Sequence, residues 1–497
     1  MTSIWMDRPG LASHPPLTGD ATYDVAVVGG GLTGLVTAVL FARSGRRVVL
    51  LEARRLAAVT TGNTTGKISL LQGTKLSRLA KRHPADVVRA YVDAGREGQQ
   101  WLLRYCDEHG VAVQTRPAYT YATTAEGEQA AREELETARR AGLDAEWVET
   151  TALPFDVRGA VRLADQAQFD PMDVVAALAD DLVERSGVIH EESPVTSLRR
   201  GDGGVRIAAP TATERAETVV VATGTPIFDR GGYFARLEPD RSYAVAFRSP
   251  GTPPAGMYLS ADTPTRSLRS YPREDGEYLL AGGNGHVVGR RSATTQQYDD
   301  LVRWTESMFP GAQPTHRWSA QDYRSVDGLP YVGPLTPGHD DVLVATGYDK
   351  WGMTTAVAAA LALSARVLGG QTPWADAMDS WRLRELGGLP TALRLNASVA
   401  LHLASGYLQA FGHGGSEIGP AEGEGRVFRR AGRPTAACRV DGVTHELSAV
   451  CPHLGGILTW NDAERSWDCP LHGSRFAADG TRLEGPATKG LPPAVPA

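Results

Sequence analysis

The sequence predicts an α/β chain closed by a small, β-sandwich-like domain at its C-terminal end. The α/β chain has a Rossmann-like nucleotide-binding part and an antiparallel-sheet part. Three observations carry the prediction. An apolar strand, residues 24–28, runs straight into Gly29-Gly30-Gly31-Leu32-Thr33-Gly34 and a following helix. Residues 226–326 alternate apolar and polar side chains, as in Ser242-Tyr243-Ala244-Val245-Ala246-Phe247 and Tyr278-Leu279-Leu280-Ala281, the period of half-buried strands. From about residue 426 onward come short strands with turns at Asp441-Gly442 and Asp479-Gly480, and two loops bearing Cys and His lie between those turns.

The first observation extends to a complete dinucleotide fingerprint. The helix spans residues 35–44 and stops at Gly45; a second apolar strand, 46–51, ends at Glu52, eighteen residues past Gly34. Gly29, Gly31 and Gly34 are expected to pack against a pyrophosphate at the helix N-terminus, beside Leu32 and Thr33. Glu52, followed by Ala53, is expected to bind ribose hydroxyls. A buried βαβ unit packed tightly at glycine is the plainer alternative; strand, helix, strand and acid in register weigh against it. The fingerprint alone does not separate NAD from FAD.

The C-terminal loops read Cys451-Pro452-His453 and Cys469-Pro470-Leu471-His472, with fifteen residues between them. Each offers one thiolate and one imidazole. Two Cys on one iron and two His on the other is the ligation of a Rieske [2Fe–2S] centre, so Cys451, His453, Cys469 and His472 are the expected metal ligands. A tetrahedral zinc site takes the same donors, but a Cys-x-His pair is tighter than zinc-finger spacing. The flanks Leu454-Gly455-Gly456 and Gly473-Ser474-Arg475-Phe476 resemble Rieske loops. Such a centre marks an electron-transfer protein.

With 497 residues there is room for two to four domains, and 42% hydrophobic and 22% charged residues are ordinary for a soluble globular chain. The net charge of −6 gives no reason to expect nucleic acid. No segment approaches the roughly 20 apolar residues that span a membrane, and the N-terminus lacks a secretory pattern. A cytoplasmic protein is expected, with Cys106 and Cys438 as core thiols and no disulfide. The expected plan is an irregular surface arm at 1–20, an oxidoreductase unit at 21–385, a helical connector and linker at 386–425, and the cluster domain at 426–497. Within the large unit, 21–75, 160–225 and 327–370 form the nucleotide part, and 76–159 and 226–326 the helical and substrate part. Residues 76–145 read as mainly helical (85–108 and 126–141). Asp170 caps a later helix that begins at Pro171. Another helix, 352–368, is stopped by Gly369 and presents small residues to a cofactor. Residues 391–410 form an amphipathic connector, and 412–425 a hinge.

Later segments carry a resemblance. Thr218-Val219-Val220-Val221 ends in the small-residue turn Ala222-Thr223-Gly224. Further on come Asp327-Gly328-Leu329-Pro330-Tyr331-Val332-Gly333, then Val344-Ala345-Thr346-Gly347 and Trp351-Gly352-Met353-Thr354. In order and spacing these resemble the D-amino-acid oxidase and glycine oxidase superfamily over most of residues 20–385. With its Cys/His tail, the chain resembles bacterial FAD-dependent oxidoreductases fused to a C-terminal Rieske domain; Ser3-Ile4-Trp5 and Trp318-Ser319-Ala320-Gln321-Asp322-Tyr323 fit that subfamily too. The resemblance implies a two-domain FAD-binding fold of the glutathione-reductase type, with FAD and a [2Fe–2S] cluster as cofactors. It implies cofactor contacts from Thr61, Thr64, Thr65, Gly66 and Lys67, and from a backbone group near Val195. Ala222, Thr223, Gly224, Gly347, Trp351, Gly352, Met353 and Thr354 complete the set.

For chemistry, Lys67 stands either near the flavin ring or in a surface ion pair. Asp322 lies five residues before Asp327-Gly328, where relatives commonly place an arginine for the substrate carboxylate. An acid binds an ammonium instead, so a small amine or imine is the expected substrate. Arg266 or Arg269 would serve a carboxylate from another side, and Tyr258, His286, Trp318 and Trp351 are placed near the pocket by the resemblance. The expected reaction moves a hydride from the C–H beside nitrogen to flavin N5. The cluster then exchanges single electrons with a ferredoxin-like partner, or is structural while oxygen reoxidises the flavin. The rivals are a reductase running the other way and an electron relay with no small substrate. High-potential Rieske domains carry two further cysteines and a Tyr hydroxyl near the cluster. Here Gly456, Leu471 and Phe476 occupy those slots and Ser474 is kept, which implies a potential in the lower half of the range of about −150 to +300 mV.

Overall fold

In the computed structural model, which describes residues 2–8, 11–228, 230–412 and 419–494, segments far apart in sequence build the nucleotide sheet. Strand β1 (Thr22–Val28) lies between β2 (Val48–Leu51) and the strand Thr213–Val221, all parallel, and helix α1 (Leu32–Arg43) joins β1 to β2. Val188–His190 adds beyond β2, and His339–Thr346 beyond Thr213–Val221, again parallel. Among the described residues this sheet has eight strands. Its two faces use alternate residues of the same strand, as the pleat dictates. Val25 and Val27 pack with Leu35, Val39 and Val357 of the covering helices, whereas Ala26 and Val28 pack with Leu198, Val205 and Ile207 of a hairpin. Each fully buried Val or Leu here stabilises the fold by about 1.5–3 kcal/mol.

A nine-stranded sheet forms the second body among the described residues. Leu237–Arg248 lies one strand in from its edge, between the edge strand Gln313–Ser325 and Gly276–Val287, antiparallel to both. The sheet departs from expectation in three ways. Val113–Ala122, from the segment read as mainly helical, and Ala145–Val148, which begins where that segment ends, are strands of it. Pro117 stands at the register shift between Arg116 and Ala118, and a proline at a bulge interrupts the alternation that would have revealed the strand. Met257–Ser260 pairs parallel with Val113–Ala122, so the sheet is mixed. Lys67–Ile68 and Gly159–Phe169, assigned from sequence to the nucleotide part, pair with each other in this sheet.

Local signals set the helices. Ala85–Glu108 buries one face; Asp170 Oδ1 accepts from the Met172 N–H (2.8 Å) ahead of Pro171–Glu184; and Gly352–Leu368 ends at Gly369 in the left-handed region (φ 77°). The N-terminal arm is not confined to the surface. Ser3, Ile4 and Trp5 are buried, and the Trp5 indole N–H donates to the Thr64 carbonyl (2.7 Å) while its ring meets Tyr271 edge-on. Burying an indole outweighs the irregularity of its backbone.

Leu389–Gly412 connects to the C-terminal domain; of the expected hinge, residues 413–418 lie outside the described residues. That domain pairs a three-stranded sheet with a four-stranded one (Thr459–Asn461, Ser466–Asp468, Arg475–Ala477, Arg482–Glu484). It is seated against the nine-stranded sheet by charge. Buried Arg241 reaches Glu464 (2.9 Å) and Glu484 (2.6 Å), and Arg475 reaches the same two acids and Asp468 (3.0 Å). Burial would raise the Glu464 carboxyl, but Arg241 and Arg475 hold it down at about 2. Thr294 N–H donates to Asp462 (2.6 Å), and the Gln321 amide to the Gly473 carbonyl (2.8 Å).

Candidate active site

The dinucleotide end is built mostly from backbone. Gly29 has φ +114°, and a Cβ on it would lie 2.5 Å from the Ala222 carbonyl oxygen. A Cβ on Gly34 would lie 1.9 Å from the Gly29 carbonyl oxygen, so Gly34 seats α1 on β1. The helix starts at Gly31, which has no side chain to cap it; Leu32 N–H donates to Thr61 Oγ1 (3.1 Å), and the remaining N–H groups of the first turn are the donors such a helix end offers an anion. Glu52, just past β2, accepts from the N–H groups of Gly30 (2.7 Å) and Arg54 (2.8 Å). Burial pushes its pKa up against those two bonds.

A cavity of about 200 Å³ opens over this cradle. Of the residues named from sequence, Gly29, Gly31, Leu32, Thr33, Glu52, Ala53, Thr61, Thr64, Val195, Ala222, Thr223, Gly224, Gly347, Gly352 and Met353 line it. Thr65, Lys67 and Trp351 line the adjoining cavity instead. Gly34, Gly66 and Thr354 line neither. Gly34 is spent on helix packing, and Gly66 sits against the Phe169 carbonyl and Arg269. Sequence reasoning missed Tyr348, whose hydroxyl hydrogen-bonds Thr33 (2.9 Å), and residues 482–485 of the C-terminal domain.

The adjoining cavity, about 670 Å³, shares Thr60, Thr64, Asp322, Lys350 and Met353 with the first, so the two meet there. Its walls carry Lys67, Arg78, Asp240, Arg291, Arg324 and Asp349. Asp322 accepts from the backbone N–H groups of Tyr323 (2.7 Å) and Lys350; burial and the nearby Asp349 push its pKa up to about 7. Asp349 pairs with Lys75 (2.8 Å) and Arg78 (3.5 Å), which hold it down at about 2 against the effect of burial. Lys350 Nζ pairs with Asp240 (2.7 Å).

Lys67 is buried, which removes the surface ion-pair alternative. Its Nζ donates to the Tyr258 carbonyl (2.9 Å) and Ser267 Oγ (2.7 Å); burial, then neighbouring Arg269, lowers its pKa to about 7. The other candidates do not line the cavity. Arg266 is tied to Asn284 (2.6 Å) and Asp300 (2.7 Å). Arg269 is spent on the carbonyls of Thr65, Gly66 and Phe169. Tyr258 stacks on Tyr119, His286 shares a hydrogen bond with the Tyr243 hydroxyl (2.9 Å), and Trp318 donates to the Asn63 carbonyl. Each is engaged with a group distant along the chain, which spacing in the sequence does not reveal.

The two Cys/His loops repeat one conformation. Cys451 N–H donates to the Gly456 carbonyl (2.8 Å) and Gly455 N–H returns to the Cys451 carbonyl (3.0 Å). Cys469 N–H donates to the Ser474 carbonyl (2.8 Å) and Gly473 N–H returns to the Cys469 carbonyl (3.1 Å). Gly455 and Gly473 share φ +75°, the left-handed value that glycine adopts at little cost. The thiols of Cys451 and Cys469 hydrogen-bond each other, and backbone N–H groups of His453, Leu454, Leu471 and His472 point at the sulfurs. The rings of His453 and His472 meet with centroids 5.1 Å apart. Thiol beside thiol and imidazole beside imidazole is the donor set a binuclear cluster divides between its two irons. A Cβ on Gly456 would lie 2.7 Å from Leu471 Cγ, so the two extra-cysteine slots adjoin and leucine fills the space. The Ser474 hydroxyl is hydrogen-bonded to the Cys451 sulfur, and Phe476 is fully buried.

Comparison with known proteins bears on both sites. Residues 24–366 match the family of FAD dependent oxidoreductases, and residues 416–494 match the Rieske [2Fe-2S] domain. A Bacillus subtilis (strain 168) protein, YhfW, named provisionally as a Rieske 2Fe-2S iron-sulfur protein, is 33% identical over 494 residues, 98% of this chain and 96% of that one. Gamma-glutamylputrescine oxidoreductase of Escherichia coli (strain K12) is 26% identical over 373 residues, covering 69% and 83% of the two chains. The crystal structure of glycine oxidase from Geobacillus kaustophilus aligns with a TM-score of 0.61 at 20% identity, covering 73% of this chain and 99% of that one.

Proposed function

Because the chain belongs to the FAD dependent oxidoreductase family and carries a Rieske [2Fe–2S] domain, with FAD and a [2Fe–2S] cluster as its cofactors, we propose that it oxidises a C–N bond of a small amine and passes the electrons singly to a ferredoxin-like partner. The observation that carries this reading is the 670 Å³ cavity that opens from the dinucleotide cavity with Asp322 at the junction. An electron relay needs no such space. The names of two similar proteins, glycine oxidase and gamma-glutamylputrescine oxidoreductase, add support.

In this reading the glycine cradle, Glu52 and the turn at residues 222–224 hold FAD, and Cys451, Cys469, His453 and His472 hold the cluster. When bound, the flavin supplies a hydride acceptor for the C–H beside nitrogen, and the cluster a one-electron outlet. The chain supplies placement and proton handling. Asp322, with a pKa near 7, is poised to take a proton from the substrate ammonium at its carboxylate, and Lys67 Nζ, also near 7, holds or releases a proton at the same cavity. Asp322 occupies the slot of the carboxylate-binding arginine, and Arg266 and Arg269 have other partners, so glycine and D-alanine are expected to be poor substrates. The potential is proposed to lie in the lower half of the Rieske range, since Phe476 offers no hydroxyl to the cluster sulfurs. Among the described residues no helix is long and apolar enough to cross a membrane. The buried free thiols of Cys106 and Cys438 suit a reducing compartment, and we place the protein in the cytoplasm.

Anaerobic mixing with an amine library tests the reading. Flavin bleaching followed by cluster reduction is expected with at least one amine, at a rate far above that with glycine. Failure of every amine to bleach the flavin, together with its rapid reduction by a ferredoxin-type donor, would support the reverse direction of flow.

A further inference from the structure

The cavity over the dinucleotide cradle is not walled by the oxidoreductase unit alone. Residues 482–485, the strand Arg482–Glu484 of the C-terminal domain and the glycine after it, line it together with Glu52 and Arg54. That strand, Arg482–Glu484, is anchored by ion pairs at Glu484. Glu484 is bonded by Arg241 (2.6 Å) and Arg475 (3.2 Å). Gly485 has φ +95°, and a Cβ there would lie 2.4 Å from the Ser474 Cα, directly on the second Cys/His loop. Ala487 N–H donates to Ser474 Oγ (3.0 Å).

Arg482 is the side chain this strand brings to the cavity with charge to spare. Its guanidinium donates to the Ala487 carbonyl (3.2 Å), and among the described residues it has no carboxylate within ion-pair distance. It is partly withdrawn from water, and its surroundings, burial foremost, lower its pKa despite the attraction of Glu52. The other cations at this cavity are differently placed: Arg54 is exposed on the surface, and Lys350 is paired with Asp240. A guanidinium at the wall of a cavity, without an acid of its own, suits an anionic occupant that arrives with its own oxygens.

We propose that the C-terminal domain completes the FAD site, with Arg482 contacting the adenosine diphosphate half of the cofactor. The inference rests on FAD as the cofactor and adds a residue from the cluster domain to its binding. One strand then touches both cofactor sites: Arg482 faces the dinucleotide and Gly485 packs on the loop that carries Cys469 and His472.

The test is titration of full-length apo-flavoprotein, followed by quenching of flavin fluorescence. FAD and FMN are compared, with ADP as competitor. Arg482→Gln keeps a donor for the Ala487 carbonyl and removes the charge. It is expected to weaken FAD and ADP alike by roughly tenfold or more, the scale of one charge-assisted hydrogen bond, while FMN binding changes less than about twofold. Arg482→Lys should restore most of the affinity, and the cluster EPR signal of each variant reports that the domain is folded. FAD binding by Arg482→Gln within about twofold of wild type overturns the proposal, as does an equal loss for FAD and FMN, or Arg482→Lys as weak as Arg482→Gln. Wild-type protein that binds no flavin would instead overturn the functional reading itself.

Discussion

The dinucleotide cradle and the cavity beside it are built in opposite ways. The cradle is laid out by one short stretch, residues 22–54, closed by the turn at 222–224, and its contacts are made largely by backbone: glycine against carbonyl, helix N-terminus, N–H groups at Glu52. The cavity is assembled from side chains brought together across the fold, such as Arg78 and Asp349, 271 positions apart. A backbone-made site tolerates side-chain change except where a Cβ cannot fit. A side-chain-made site depends on buried charges staying matched, because an unpaired ion in a low dielectric is costly.

The sharpest way to break this contrast lies in the cradle. Gly34→Val places a side chain where even a Cβ would come within 1.9 Å of the Gly29 carbonyl, and protein recovered from this variant is expected to hold no flavin. Normal flavin content by absorbance would show that α1 shifts freely. Next is the buried Lys75 that pairs with Asp349 behind the cavity wall. Lys75→Met leaves the buried Asp349 with Arg78 as its remaining close cation, and a loss of about 3–5 kcal/mol is expected in chemical denaturation. A loss under about 1 kcal/mol would mean that the cavity charges are not energetically matched as described.

The third expectation concerns pH. The native Asp322 pKa, about 7, lies above its ordinary value of 3.8, so the native state holds that proton more tightly than the unfolded chain. Its contribution to stability is present below about pH 4 and is lost as pH rises through 7, with a slope of at most about 1.4 kcal/mol per pH unit. Asp349 works in the opposite sense. Its pKa, about 2, is depressed, so its contribution is present above about pH 4 and is lost as pH falls through 2. Asp322→Asn should flatten the wild-type decline between pH 4 and 7 while leaving the acid limb in place; parallel curves for the two proteins would contradict the assignment. The smallest effect is again in the cradle. Glu52→Ala removes one side chain from a site made mainly of backbone, so FAD affinity is expected to drop about tenfold and not vanish. Complete loss of flavin on purification would put the side chain on a par with the glycines.

What the sequence determined by itself is whatever local physics encodes. The helices Ala85–Glu108 and Gly352–Leu368 have the bounds read from the residues alone. Their signals are apolar spacing and a stopping glycine, and for Pro171–Glu184 a capping acid, all within a few positions. The cradle was legible for the same reason, and the two Cys/His loops because ligand spacing is itself a short-range pattern. Tertiary structure decided the rest. It turned Val113–Ala122 into a strand across its own proline by pairing it on both sides. It spent Arg266 and Arg269 on Asp300 and on backbone carbonyls, left Asp322 and Lys67 at the cavity wall, and carried Arg482 to the nucleotide cavity from the far end of the chain. A side chain's role in a buried site depends on which distant groups share its low-dielectric surroundings, and that is settled only when the sheets close around it.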